Sequence, residues 1–242
     1  MSVGAGGVLV LGARNLGGAM VERFVADGWP VAAVARSRDS LDRVEELGAV
    51  ALEADAADPR GLAAAMAEAE SRLGGVRAIV NAVSAARPPR GGAAFGGGPL
   101  AGAGVEDFEG WTAAVVRQAF LFLSAGRRAL GEKGGTLIQV TGGSARRGMP
   151  GRGLWGAAGA GVRALTQAAA QEWREEGVHV ALLIADGTID SPKTQGMTAG
   201  KAANATIDQA DLAAAAAYLV SQSDRAMTHE LVVTPAGENW SP

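Results

Sequence analysis

The chain contains no cysteine, which excludes disulfides, thiolate catalysis and cysteine-ligated zinc. Histidine is almost as scarce. His179 and His229 are the only two, and they lack metal-ligand spacing, so no metal site is expected. Lysine occurs only at Lys133, Lys193 and Lys201, and arginine supplies the remaining cations. A net charge of −3 and a pI near 5.5 leave no basic face for nucleic acid. No apolar run approaches the ~18 residues that a membrane-spanning helix needs. The amino terminus has no basic stretch followed by an apolar one, so no signal peptide is read. A soluble cytoplasmic protein is the expectation.

What is present is enough apolar residue for one sizeable core. The 242 residues are 48% hydrophobic, and they read as a single domain spanning residues 1–242. Short apolar runs alternate with longer amphipathic segments. The pattern predicts an α/β fold, a doubly wound parallel sheet of about seven strands with helices on both faces. The strands fall at Gly7–Leu11, Val31–Ala35, Val50–Glu53, Arg77–Asn81, Thr136–Thr141, Val178–Ile184 and Leu231–Thr234. In the first helix Leu16, Met20, Val21, Phe24 and Val25 recur at helical spacing, and Gly28 marks the stop. Asp58-Pro59 predicts a helix start, with Asp58 as N-cap and Pro59 at the first helical position. Another helix runs over Asp208–Ser221. Between the fourth strand and the next helix lies Arg87–Gly104, rich in glycine and proline (Pro88, Pro89, Gly96-Gly97-Gly98). It leaves the carboxyl end of a strand, where ligands bind in such sheets, and reads either as a surface loop or as a substrate-side flap.

The segment Val8–Gly18 is a strand, a glycine turn and a helix start. Such a turn lets backbone N–H groups at a helix terminus approach a pyrophosphate. The candidate residues are Gly12, Arg14, Asn15, Leu16 and Gly17. The second strand ends in Arg36-Ser37-Arg38, where an NAD enzyme usually places an acidic residue on the ribose 2′-hydroxyl. Arginine there suits a 2′-phosphate, and Arg14 can reach the same group. NADP(H) is therefore favoured over NAD(H).

Taken together, these residues resemble the short-chain dehydrogenase/reductase family from about Gly7 to Gly237. The resemblance rests on the glycine turn, on Val80-Asn81-Ala82-Val83 where the family has Asn-Asn-Ala-Gly, and on Asp186-Gly187-Thr188-Ile189-Asp190-Ser191 where it has Pro-Gly-x-x-x-Thr. Asp-Gly at the last place matches a divergent branch whose catalytic tyrosine is often phenylalanine. The implied fold is Rossmann-type. The implied cofactor contacts add Asp55 and Ala56 at the adenine, Asn81, Ala82 and Val83 after the fourth strand, and Ile189 at the carboxamide. In the family's glycine spacing Leu16 stands where the second glycine should be; alternatively the loop is one residue short and Gly17 is the last glycine. The resemblance also implies a homodimer or homotetramer, built through helices at about Val105–Leu130 and Leu154–Glu176 and through the last strand.

The family's Asn-Ser-Tyr-Lys catalytic tetrad aligns with Gln118, Gly142, Trp155 and Gly159. An indole N–H only donates and does not titrate usefully, so Trp155 is no acid or base. The weak substitutes are Thr141, Ser144 and Asp186, with strand-end or turn capping as the plainer reading of each. Arg146, Arg147 and Arg152 read as solvated loop charges or as contacts for an anionic substrate, and the two histidines as structural or interfacial. Three readings follow. One is an NADP(H)-dependent oxidoreductase of a small carbonyl or alcohol using a non-standard proton route. The second is an inactive homologue that senses cofactor or binds a partner. The third is a non-redox cyclase or isomerase that reuses the pocket.

Overall fold

A computed structural model describes residues 6–83 and 96–239. One sheet of seven parallel strands forms its centre: β1 (Gly7–Leu11), β2 (Val31–Ala35), β3 (Val50–Glu53), β4 (Val76–Asn81), β5 (Gly135–Gly142), β6 (Val178–Ala185) and β7 (Glu230–Val233). Their spatial order is β3-β2-β1-β4-β5-β6-β7. The chain winds outward through β2 and β3, then returns to place β4 against β1. That reversal opens a crevice at the carboxyl ends of β1 and β4.

Among the described residues the helices are α1 (Leu16–Ala26), α2 (Arg38–Glu46), α3 (Pro59–Leu73), α4 (Val105–Leu130), α5 (Gly153–Trp173), the short α6 (Gln195–Thr198) and α7 (Gln209–Ser221). Strand alternation divides the core. Val8, Val10, Ala33, Val80, Ile138 and Leu183 meet Met20 and Phe24 of α1 and Leu212 and Ala216 of α7. Leu9, Leu11, Ile79, Leu137 and Val180 meet Leu62 and Met66 of α3 and Phe122 and Leu123 of α4. Because both faces are covered, β1 and β6 are buried along their whole length.

The local punctuation follows its chemistry. Asp58 accepts the Gly61 N–H at 2.6 Å and Pro59 opens α3. Asp208 likewise accepts the Ala210 N–H at 2.8 Å to start α7. Gly28 ends the first helical unit at φ 83°. The main adjustments are at strand ends. β5 gains a residue at each end of its predicted span, β6 runs on to Ala185, and β7 starts one residue early and leaves Thr234 beyond it. Of the Arg87–Gly104 connection, residues 87–95, with Pro88 and Pro89, lie outside the described residues. Its described part holds three glycines at positive φ and a 3₁₀ turn at Leu100–Gly102. Among the described residues no helix is long and apolar enough to cross a membrane.

Candidate functional site

The glycine turn sits at the crevice between β1 and β4. Gly12 has φ 89°, and a Cβ there would lie 3.2 Å from the backbone of Ala82 and Val83. A Cβ on Gly17 would run into the Gly12 carbonyl oxygen and stand 3.5 Å from the Ala82 Cβ. The close helix-to-turn contact therefore falls on Gly17, as in the shortened-loop alignment. Leu16, named above as a cofactor residue, has its side chain in the core with α1 and α7. Asn15 adopts φ 50° and ψ −118°, its side chain does not cap α1, and the first turn of α1 has no acidic residue. The positive end of the α1 dipole is thus left for an anion.

The residues after β2 are more committed than the sequence suggests. Arg36 contacts Asp55 at 3.4 Å, and Asp55 also accepts the Ala57 N–H at 2.9 Å. Arg38, expected to face a 2′-phosphate, makes exposed ion pairs along α2 with Asp42 at 2.8 Å and Glu45 at 3.4 Å. A helical residue's own carboxylates one and two turns on are simply its nearest counter-ions. Ser37 shares a hydroxyl–hydroxyl bond with Ser40. Arg14 is exposed, and Ala56 is buried against the α3 side of the core.

Beneath the crevice lies a buried amide cluster. Asn81 Nδ2 donates to Gln118 Oε1 at 3.0 Å and to Gln139 Oε1 at 2.8 Å, while Gln118 Nε2 donates back to Asn81 Oδ1 at 3.1 Å. Asn81 Oδ1 also accepts the Val83 N–H at 3.3 Å. The cluster ties β4, α4 and β5 to the backbone that packs on Gly12. Gln139 is absent from the sequence reading. Its trace was a lone amide inside the apolar run Leu137-Ile138-Gln139-Val140, since a buried amide must find partners.

Near the end of β5 the tetrad-aligned positions Gly142 and Gly159 have little room for a side chain. A Cβ on Gly142 would lie 3.1 Å from the Trp155 ring, so the indole lies over the bare backbone. A Cβ on Gly159 would stand 2.7 Å from the Ala145 nitrogen and 2.8 Å from Ser144 Oγ. The 3₁₀ turn Gly143–Ala145 fills the space a side chain would need. Gln118 is held by Asn81. The chain's one tyrosine, Tyr218, is exposed on α7. Ser144 is buried, and its hydroxyl has no hydrogen-bond partner among the described residues. Thr141 is half-buried in the last part of β5.

Arg146 and Arg147 of the loop are engaged in ion pairs. Arg147 donates to Asp186 at 2.9 Å, and that carboxylate is only 3% exposed where it packs on Gly143. Arg146 meets Glu230 at 2.5 Å, and Arg163 of α5 meets the same carboxylate at 2.6 Å. Arg152 is exposed at the start of α5. Ile189 forms a parallel bridge with Ile207, and its carbonyl accepts the Thr194 hydroxyl. The histidines stand far along β6 and β7 from this end. His179 Nε2 donates to the Thr228 carbonyl, His229 Nδ1 bonds the Val180 carbonyl, and the rings meet edge to face at 5.9 Å. Burial holds the His179 pKa below its ordinary value. Among the described residues no group of three His, Cys, Asp or Glu is placed to hold a metal.

Comparison with known proteins agrees with this architecture. Residues 10–239 match the family model described as enoyl-(acyl carrier protein) reductase. A short-chain dehydrogenase/reductase of Hericium erinaceus is 26% identical over 258 residues, covering 98% of each chain. A dehydrogenase/reductase from Sinorhizobium meliloti 1021 superposes with TM-score 0.76 and 25% identity, over 97% of this chain and 96% of the other. A blue fluorescent protein from a metagenomic library, in complex with NADPH, does so with TM-score 0.72 and 25% identity, over 95% and 97%. The chain is a member of the short-chain dehydrogenase/reductase family, with an oxidoreductase-like architecture.

Proposed function

We propose that this protein binds NADP(H) across the carboxyl ends of β1 and β4 and is an oxidoreductase of a small carbonyl or alcohol whose proton does not come from a phenol. The observation that carries the reading is the cradle at Gly12 and Gly17, closed to side chains and set beneath an uncapped helix start. A nicotinamide cofactor held there by its pyrophosphate would donate hydride to a carbonyl or accept it from an alcohol. Arg14, Arg36 and Arg38 are the residues for a 2′-phosphate. The contact of Arg36 with Asp55 is largely exposed, and such pairs are worth about 0–1 kcal/mol. A charge-assisted bond to phosphate competes well with that. The NADPH held by the metagenomic relative supports the same preference. On the proton side, Asp186 is engaged by Arg147 and Ser144 is enclosed behind Gly159, which leaves the half-buried Thr141 in the last part of β5 as the hydroxyl to test.

A second reading, cofactor binding without turnover, is favoured by the filled spaces at Gly142 and Gly159. Both readings allow a homodimer or homotetramer through α4 and α5. A groove there is lined by Phe120, Leu123, Leu165 and Trp173, and light scattering would report the assembly. The deciding experiment is a calorimetric titration with NADPH, NADP⁺, NADH and NAD⁺, followed by NADPH consumption over a panel of small carbonyls. Phosphate-preferring binding with consumption supports the first reading. Binding without consumption moves the assignment to the second, and substrate conversion without cofactor oxidation points to a cyclase or isomerase. No binding of any dinucleotide at millimolar concentration overturns both redox and sensor readings.

A further inference from the structure

The glycine run Gly96-Gly97-Gly98 is not among the residues assigned to the cofactor, yet its backbone is tightly specified. All three residues lie at positive φ, 88°, 90° and 71°, where other residues are strained. The segment runs against the start of α5. Gly98 forms a parallel bridge with Arg152. A Cβ on Gly96 would come within 2.9 Å of Arg152 Cα, and one on Gly97 within 2.7 Å of Leu154 Cδ1. Leu100 covers the residue between, since a Cβ on Gly153 would be 2.9 Å from its Cδ2. Three successive residues, 152 to 154, are therefore each met by this strap.

That contact matters because α5 begins poorly by itself. Its N-cap residue, Arg152, has φ −134° and ψ 26° and makes no side-chain cap bond, and the first turn carries no acidic residue. The opening sequence Gly153-Leu154-Trp155-Gly156 includes two glycines, each costing a helix about 1 kcal/mol relative to alanine. Leu154 is 6% exposed but belongs to none of the apolar clusters that fill the two faces of the sheet. Gly97 lies on that leucine. Trp155 follows directly, with its ring over Gly142.

We propose that the Gly96–Gly98 strap, in place of a helix cap, holds the first turn of α5 and so sets the position of Trp155 over the end of β5. Strap and indole move together: displacing the first frays α5 at 152–156 and uncovers Gly142. The inference rests on the functional reading above only in taking the end of β5 to border a substrate. Its test needs no cofactor, so failure of dinucleotide binding leaves it standing or falling by itself.

The experiment measures hydrogen exchange and the ¹⁵N-indole spectrum of the full chain, with the Trp155 signal identified by Trp155→Phe. Gly97→Val drives side-chain bulk into Leu154, and Leu154→Ala removes the partner without adding any. Gly102→Val, at a position with nothing within 4 Å of a Cβ, is the control. Both strap variants should speed exchange at residues 152–158 about tenfold or more. They should also shift the Trp155 indole signal and leave residues 162–173 as in the parent. The control should match the parent. Should Gly97→Val fail to fold, Leu154→Ala decides alone. Unchanged exchange at 152–158, or acceleration spread evenly along α5, overturns the proposal.

Discussion

Gly159→Ala should destabilise this protein although it places a better helix former inside a helix. In an open helix interior the exchange gains about 1 kcal/mol. At Gly159 the added Cβ would stand 2.7 Å from the Ala145 nitrogen and 2.9 Å from its Cα. Those are backbone atoms of the turn Gly143–Ala145, and they cannot swing aside as a side-chain end could. The turn cannot easily retreat either, because Gly143 is already pressed against the buried Asp186 carboxylate. Overpacking of this kind costs about 1–3 kcal/mol, which leaves a net loss of up to about 2 kcal/mol once the helix-forming gain is subtracted. Gly156, one turn earlier, is the internal comparison. A Cβ there meets Arg147 O and Gly148 Cα at an ordinary 3.8 Å, so Gly156→Ala should stabilise by up to about 1 kcal/mol. Urea unfolding at one protein concentration reads both, with equal m-values required for the comparison. If Gly159→Ala stabilises as Gly156→Ala does, the turn can move and the argument that backbone blocks a side chain at 159 is wrong. If the argument holds, restoring the family residues as Gly142→Ser, Trp155→Tyr and Gly159→Lys together will not rebuild a working lysine.

Two further outcomes test the polar interior. Arg147→Ala leaves the Asp186 carboxylate buried without its partner and should cost about 3 kcal/mol in urea unfolding; adding Asp186→Asn should recover a large part, and no recovery would mean the pair is not what the arginine contributes. For His179, burial lowers the folded-state pKa below the ordinary 6.5, partly opposed by the Thr228 carbonyl. The unfolded chain therefore binds the proton more readily, and the contribution of His179 is fully present above 6.5 and lost as pH falls through that value toward the folded pKa. The urea midpoint should decline between about pH 7 and pH 5.5, and His179→Gln should flatten that decline; an equally steep decline in the variant would refute the assignment.

Much of this protein is decided locally. The apolar runs at Gly7–Leu11, Val31–Ala35 and Val50–Glu53 coincide with β1, β2 and β3 to the residue. The Asp58-Pro59 and Asp208 helix starts were legible because caps and proline act within one turn of chain. Tryptophan at 155 and glycine at 142 and 159 were visible as residue types in the wrong chemistry. What could not be read is how those positions are filled. That Trp155 lies over Gly142, that Ser144 and Ala145 take the space at Gly159, and that Asp186 neutralises Arg147 are contacts between segments far apart in sequence. The same holds for Gln139, which looks like an oddity in a strand until β4 and α4 bring Asn81 and Gln118 to it. The exposed counter-ions of Arg38, Asp42 and Glu45, were by contrast within reach along its own helix. Periodicity and capping depend on neighbours along the chain, so the sequence alone determined the strands, the helix starts and the fold class. Packing, ion pairing and the closing of the end of β5 depend on neighbours in space, and only the tertiary structure decided those.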